Sequence, residues 1–475
     1  AEGGDISITG TGGSGGGAAN NYGVIVEGSG EVEATGAGKV TLHGTGGNIT
    51  GTGGSNHGVC INGTGARVTT VDGKLTLNGI SGGGTGSTNT NEGVLIAGAL
   101  LCAATGTGEV RITGTPGGAG VGNGVACTST ALVLSSAGGD ITISGTAAPQ
   151  GGDGVSLASA VSAGGGDISL TGVGAGTSNS REGIVVTQAI STSGVGTITM
   201  HGTASTVGQG IGVYLSGSSA AATTGGGSIS LTGIGGGGGT ISHSFGVGLS
   251  AATVSGPGVG ASLTILGTGG AAPQNNPYGV EMNSGSQLLT SGGNIVITGT
   301  GGASGTSSSY GVQLWSSHIS AGGTGSITLT GTGGAAEGSN QHGFFFTGGS
   351  MTTNDGPIHI TGTAGGQNVS LNGRGINKTN TGTITVGGEH DLTLVADSMT
   401  LGGNNTISAA GDEVVVLQKT NGTGVALGGA DTVTGSPLVL GLGDSELDAF
   451  VADEVRVGNA NTGAMSVAGS ISPLS

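Results

Sequence analysis

Charge is scarce in this 475-residue chain. It holds 9 Lys and Arg against 26 Asp and Glu, 7% in all, for a formal net charge of −17. An ordinary globular domain carries roughly 25%. So few cations exclude a nucleic-acid binder of the usual basic kind, which needs Lys and Arg to displace counterions from phosphates. Aromatics are 2%, with five Phe, four Tyr and one Trp, too few for a core built on large rings. The three cysteines, Cys60, Cys102 and Cys127, are an odd number with no Cys-x-x-Cys spacing, which leaves a zinc site without support. They read as small buried side chains. No apolar run reaches the roughly 18–20 residues of a membrane-spanning helix. The chain starts at Ala1 without methionine, shows a strand pattern by Ile6 and stops in the repeat-like Ser466–Ile471. It reads as a processed or excised piece of a longer protein.

What is abundant is glycine, 116 residues. Glycine costs about 1 kcal/mol per helical position relative to alanine, which argues against a helical protein. It does not recur at every third residue, which excludes collagen. A disordered chain would combine low hydrophobicity with high net charge, whereas mean hydropathy here is +0.20 and the apolar residues recur in register.

That register is a repeat. Strand-like segments such as Ile6-Ser7-Ile8-Thr9-Gly10-Thr11, Val40-Thr41-Leu42-His43-Gly44-Thr45 and Ile327-Thr328-Leu329-Thr330-Gly331-Thr332 each close on a glycine. These glycines fall at 10, 44, 79, 114, 145, 172, 202, 233, 267, 299, 331 and 362, a mean period of 32. A period of about 20–50 residues signals a solenoid, propeller or array. Apolar and polar residues alternate inside each segment, as in a half-buried strand. The inward pairs run from Ile6/Ile8 and Val40/Leu42 to Ile384/Val386. A second strand opens on a glycine about 14 residues later, as in Tyr22-Gly23-Val24 and Tyr310-Gly311-Val312, and a third, weaker one follows, as in Glu31-Val32-Glu33 and Gln287-Leu288-Leu289. A propeller blade needs four strands in about 40–45 residues. Three short strands in 32 instead predict a right-handed parallel β-helix, a β-solenoid of about 13 rungs over residues 1–386.

Beyond residue 386 the pattern changes. Residues 381–475 hold 11 acids and two basic residues, Lys419 and Arg456. Residues 387–475 read as a second, more acidic solenoid module. The order Val416-Leu417-Gln418, Val425-Ala426-Leu427-Gly428-Gly429, Ser445-Glu446-Leu447-Asp448 and Val455-Arg456-Val457-Gly458 resembles a repeat of filamentous-haemagglutinin-like bacterial surface adhesins. The resemblance implies an extracellular, non-catalytic β-helix with structural or adhesive roles. Its partners would be glycans or proteins of a host or neighbouring cell, or further copies of itself stacked end to end. A head-to-tail filament subunit is the alternative, and a polysaccharide-cleaving β-helix enzyme a third.

Candidate sites are few. The residue before the second-strand glycine forms a column of Tyr22, His57, Glu92, Asn123, Asp153 and Glu182, then Phe245, Tyr278, Tyr310 and His342. Tyr278, Tyr310 and His342, with Trp315 nearby, are candidates for a surface-ligand or partner ladder, since exposed rings hold sugars or a partner strand. Simple stacking at a corner is the plainer account. Asp140 and Asp167 hold the same strand-start position in adjacent rungs, but their column also holds Lys39 and Lys74, like a solvated edge, so no catalytic residue is assigned. Gly428-Gly429-Ala430-Asp431 is a truncated echo of a calcium repeat. Asp431, Asp444, Glu446 and Asp448 are therefore the candidate calcium ligands, and no other cofactor is expected.

Overall fold

The computed structural model describes residues 3–14, 19–47, 52–84, 90–98, 101–128, 133–177, 181–208, 210–237, 243–271, 276–303, 308–335, 340–366, 373–379, 381–403, 406–434 and 436–472. Among these, the one helix is the four-residue Asp444–Leu447, and nearly all other regular structure is parallel strand. The described strands make about 11 turns of β-solenoid at a spacing of about 32 residues. The chain divides into two compact units, residues 1–239 and 240–475.

In the first unit each turn has three faces. The first face stacks eight strands, from Ile6–Thr11 to Ile229–Ile234. Their register places Ile6 beside Val40, Val40 beside Leu75, Leu75 beside Val110 and Val110 beside Ile141. The second face aligns Val24, Val59, Val94, Val125, Val155, Ile184 and Val213. The third face runs from Glu31–Glu33 and Arg67–Thr70 to Ala221–Thr223. Alternation decides what is buried: in Val40–Thr45 every second residue points inward, and Val40 and Leu42 are fully buried. Full burial of such a side chain contributes roughly 1.5–3 kcal/mol.

The second unit repeats the plan. Its first face aligns Leu263, Ile295, Ile327, Ile358 and Leu392. Second- and third-face strands fuse into single ten-residue strands at Val312–Ala321 and Phe344–Thr353. Residues Ile384 and Val386, expected to continue the first-face column, lie elsewhere. Strand Thr383–Thr385 pairs with Ser350–Thr352 on the third face, and the next first-face strand is Leu392–Val395. The turn is shorter here, so counting by period overshoots. Twelve described first-face strands precede residue 386, against about 13 rungs expected.

Two glycine columns allow the first two faces to meet. A Cβ on strand-closing Gly44, Gly79 or Gly145 would lie well under 3.0 Å from the carbonyl oxygen of Gly58, Gly93 or Gly154, each of which opens a second-face strand. A Cβ on Gly58 would in turn strike the Ile80 amide one turn on. The second unit repeats the contact between Gly299 and Gly311 and between Gly331 and Gly343. Backbone packs on backbone at this corner, and no side chain fits between.

Replacing Gly145 by Ala forces that contact apart, with an expected loss of about 1–3 kcal/mol or more, the range for overpacking. Replacing Gly165, which has open space around its Cβ position, is expected to change stability by no more than about 0.5 kcal/mol. Melting of both variants by circular dichroism checks the contrast.

Candidate functional site

The corner just before the second face carries the column singled out by sequence. In the first unit its members are linked by one rule: each polar side chain accepts the backbone N–H of its equivalent one turn on. Glu92 N–H donates to His57 Nδ1 at 2.9 Å, Asp153 N–H to Asn123 Oδ1 at 2.7 Å and Glu182 N–H to Asp153 Oδ1 at 3.1 Å. The next column over is an asparagine ladder. Asn21 N–H donates to Asn56 Oδ1 and Asn56 N–H to Asn91 Oδ1, both at 2.9 Å. The sequence reading missed this ladder, although its signal is present as Asn-x-Gly-Val at Asn21, Asn56 and Asn91.

Buried acids in this column are held near their neutral form. Burial is the largest cause of an upward shift at both Asp153 and Glu182, and the neighbouring Asp153 raises Glu182 further. Glu92 Oε2 and His57 Nδ1 are 2.7 Å apart and both residues are buried. A carboxyl whose folded pKa is raised binds more protons folded than unfolded, so its contribution falls as pH rises. The first unit should therefore lose stability as pH climbs above the ordinary carboxylate range. Glu182→Gln should flatten that slope, as read by melting temperature against pH.

Asp140 and Asp167 follow a similar rule on the exposed side. Asp140 Oδ1 accepts Asp167 N–H and Asp167 Oδ1 accepts Thr197 N–H, each at 2.8 Å. In the same column Lys74 Nζ is 2.9 Å from Glu109 Oε2. Cys60 and Cys127 are buried free thiols, and burial pushes Cys60 up to about 12. The Cys102 side chain lies outside the described residues.

In the second unit the column is aromatic. Phe245 stacks on Tyr278 at 5.2 Å, Tyr278 on Tyr310 at 4.7 Å and Tyr310 on His342 at 5.2 Å between ring centres. Phe345 stacks on both Tyr310 and His342. Tyr278, Tyr310 and His342 are 5%, 8% and 3% exposed, so these rings meet one another and not solvent. His342 Nδ1 accepts Arg374 N–H at 3.0 Å, and burial, then Arg374, lowers its pKa to about 4. Trp315, placed with them by the sequence, is apart from the ladder and 56% exposed.

Trp315 borders an open depression of about 470 Å³, lined also by Ser250, Glu281, Asn283, Ser284 and Ser316. Asn283 hydrogen-bonds the Glu281 carboxyl, and burial raises that carboxyl to about 7. Ser284 and Ser316 hold left-handed backbone, φ 57° and 49°, on successive turns.

The four acidic candidates for calcium hold backbone instead in three cases. Asp431 Oδ2 accepts Met399 N–H at 3.1 Å and Oδ1 accepts Gly441 N–H at 2.9 Å, while Arg374 Nε is 3.3 Å away. Glu446 Oε1 accepts Leu401 N–H at 3.2 Å and Oε2 accepts Gly443 N–H at 2.9 Å. Asp444 Oδ1 accepts Ser472 N–H at 2.6 Å. Asp448 is half-buried at the end of the short helix. Among the described residues no group of three or more His, Cys, Asp or Glu is placed to hold a metal ion.

The geometry gives Asp431 and Glu446 a different role. Strand Met399–Leu401 follows Ile376–Lys378 on the second face, and Ile376 N–H donates to Ser398 C=O. The N–H groups of Met399 and Leu401 point the same way, toward where a further strand would offer carbonyls. The two carboxylates occupy that place. An open strand edge is a template for another chain, and here the edge is closed by acids from the segment that follows. Close by, Lys378 is fully buried, with Nζ donating to Gly402 C=O and Thr406 Oγ1, each at 2.7 Å.

Compared with protein-family models, curated proteins and solved structures, the chain matches none of them.

The edge closure makes a direct prediction. The double variant Asp431→Ala/Glu446→Ala should self-associate with rising concentration in sedimentation velocity, where the parent chain does not. Calcium titration by calorimetry should give no heat of binding with either.

Proposed function

We propose that the chain is a non-catalytic structural and adhesive β-solenoid that works outside the cell, at a bacterial surface or in its matrix, as the filamentous-haemagglutinin-like pattern of residues 416–458 suggests. The observation that carries this reading is how side-chain chemistry is distributed. The acids of the corner columns hold the backbone of the next turn. The most exposed large ring, Trp315, stands on a side face between turns that are locked to each other. A rigid, acidic scaffold that displays surface groups suits repeated weak contacts, and a net charge of −17 keeps copies from clumping.

A filament subunit is the second reading. It is favoured by strand Met465–Val467 on a separate three-stranded sheet, where Met465 and Val467 are 53% and 71% exposed. A polysaccharide-cleaving enzyme would instead need a carboxylate cluster facing a groove.

Beads coated with the purified chain, offered to immobilised cell-surface glycoproteins, should be retained saturably. The same protein should release no reducing ends from acidic polysaccharides, and negative-stain images should show separate particles with or without a calcium chelator. Uniform fibres would favour the filament, fibres lost on chelation would bring calcium back, and released reducing ends would favour the enzyme.

A further inference from the structure

We infer that the depression beside Trp315 binds the uncharged ring of a neutral or N-acetylated pyranose. This inference rests on the adhesive reading and gives it a ligand class. The first argument is placement. The other rings of the second unit that form the ladder are buried, whereas the single tryptophan of the chain is 56% exposed. A large amphipathic ring left in water is a poor use of apolar area unless something covers it.

The second argument is rigidity. Trp315 ends the second-face part of its strand, and its backbone is in register with Thr347 on the next turn. Ser317 Oγ donates to the Trp315 carbonyl at 3.0 Å. The residue between them, Ser316, is left-handed, as is Ser284 one turn before. Such backbone costs roughly 1–2 kcal/mol outside glycine, and here it recurs at one corner, beside the indole. The ring is thus presented on a fixed mount, so little freedom is lost when a ligand settles on it.

The third argument is chemistry. A pyranose has an apolar C–H face and a rim of hydroxyls. The depression matches both: the indole faces the C–H side, while the hydroxyls of Ser250, Ser284 and Ser316 and the carboxyl of Glu281 supply polar partners. Its volume of about 470 Å³ lies in the range of small-ligand sites. No Lys, Arg or His lines it and one carboxyl does, so acidic sugars are disfavoured. A partner β-strand is excluded as occupant, because the strand bearing Trp315 is already paired on both sides, with Val280–Met282 and with Phe344–Thr347. A quaternary ammonium is a weaker fit, since one ring does not make a cage.

Because Trp315 is the only tryptophan, intrinsic fluorescence reports this site alone. Titration of the whole chain with an N-acetylglucosamine trimer and with lactose should change its emission saturably for at least one of them, and a galacturonate trimer should not. On a matrix carrying the bound sugar, Trp315→Ala should lower affinity roughly tenfold or more, with Trp315→Phe between it and the parent. Circular dichroism establishes that both variants fold. The proposal is overturned if no neutral sugar changes the emission up to about 10 mM, above the millimolar limit of weak specific binding. It is equally overturned if choline alone changes it, or if a folded Trp315→Ala binds undiminished. Beads that adhere while sugars leave the emission unchanged would sink this site and spare the adhesive reading; sugar binding without adhesion would do the reverse.

Discussion

Everything in this solenoid depends on two columns of glycine that let main chain touch main chain. At the corner between the first and second faces, the closing glycine of one strand lies against the carbonyl of the glycine that opens the next, and that glycine lies against the following turn. Steric contact of this kind has no tolerance for a methyl group. It also sets the angle of the corner, so the small inward Val, Ile and Leu side chains of both faces fill the interior without help from large rings. The glycine content that suggests disorder on composition alone is, in place, the condition for close packing.

With the corner fixed, the remaining problem is the backbone N–H groups where strands give way to turns. The chain solves it repeatedly by lending an acceptor from the neighbouring turn: His57, Asn123, Asp153, Asp140, Asp167 and His342 all receive an N–H from the equivalent residue one turn on. An unmade hydrogen bond at a buried N–H costs about 1–3 kcal/mol, so this use of acids and imidazoles is structural. It also explains why one column mixes acids, amides, imidazoles and rings. The position selects for a flat or accepting side chain that stacks, and charge is secondary. The carboxylates on strand Met399–Leu401 extend the device from turn-to-turn contact to closure of an edge.

Much of the fold was legible because a period of 32 and a period of two are both printed in the residues. Ile6/Ile8 and Val40/Leu42 alternate in one face, and each Gly-Val pair announces the second. Legibility failed where spacing alone had to decide among faces. Ile384 and Val386 repeat the first-face alternation but fall on the third, since the turn before them is short. The stack of Tyr278, Tyr310 and His342 was readable from position, whereas its burial was not, because the chain that covers it has no pattern of its own. For Asp431 and Glu446 the sequence offers only carboxylates near glycine, which suits a cation as well as an amide; the partners that decide between them are Met399 and Leu401, more than thirty residues away.

One consequence of the glycine corner concerns how such a chain can lengthen. Its seams are made of main-chain atoms, identical at every turn, so a duplicated stretch of about 32 residues meets the same surface above and below wherever it is inserted. Length can then change by whole turns without new complementary side chains having to arise on each side of the join. Outward positions on the side faces stay open to separate variation, and a solitary residue such as Trp315 can be gained or lost on one turn while the architecture beneath it stands.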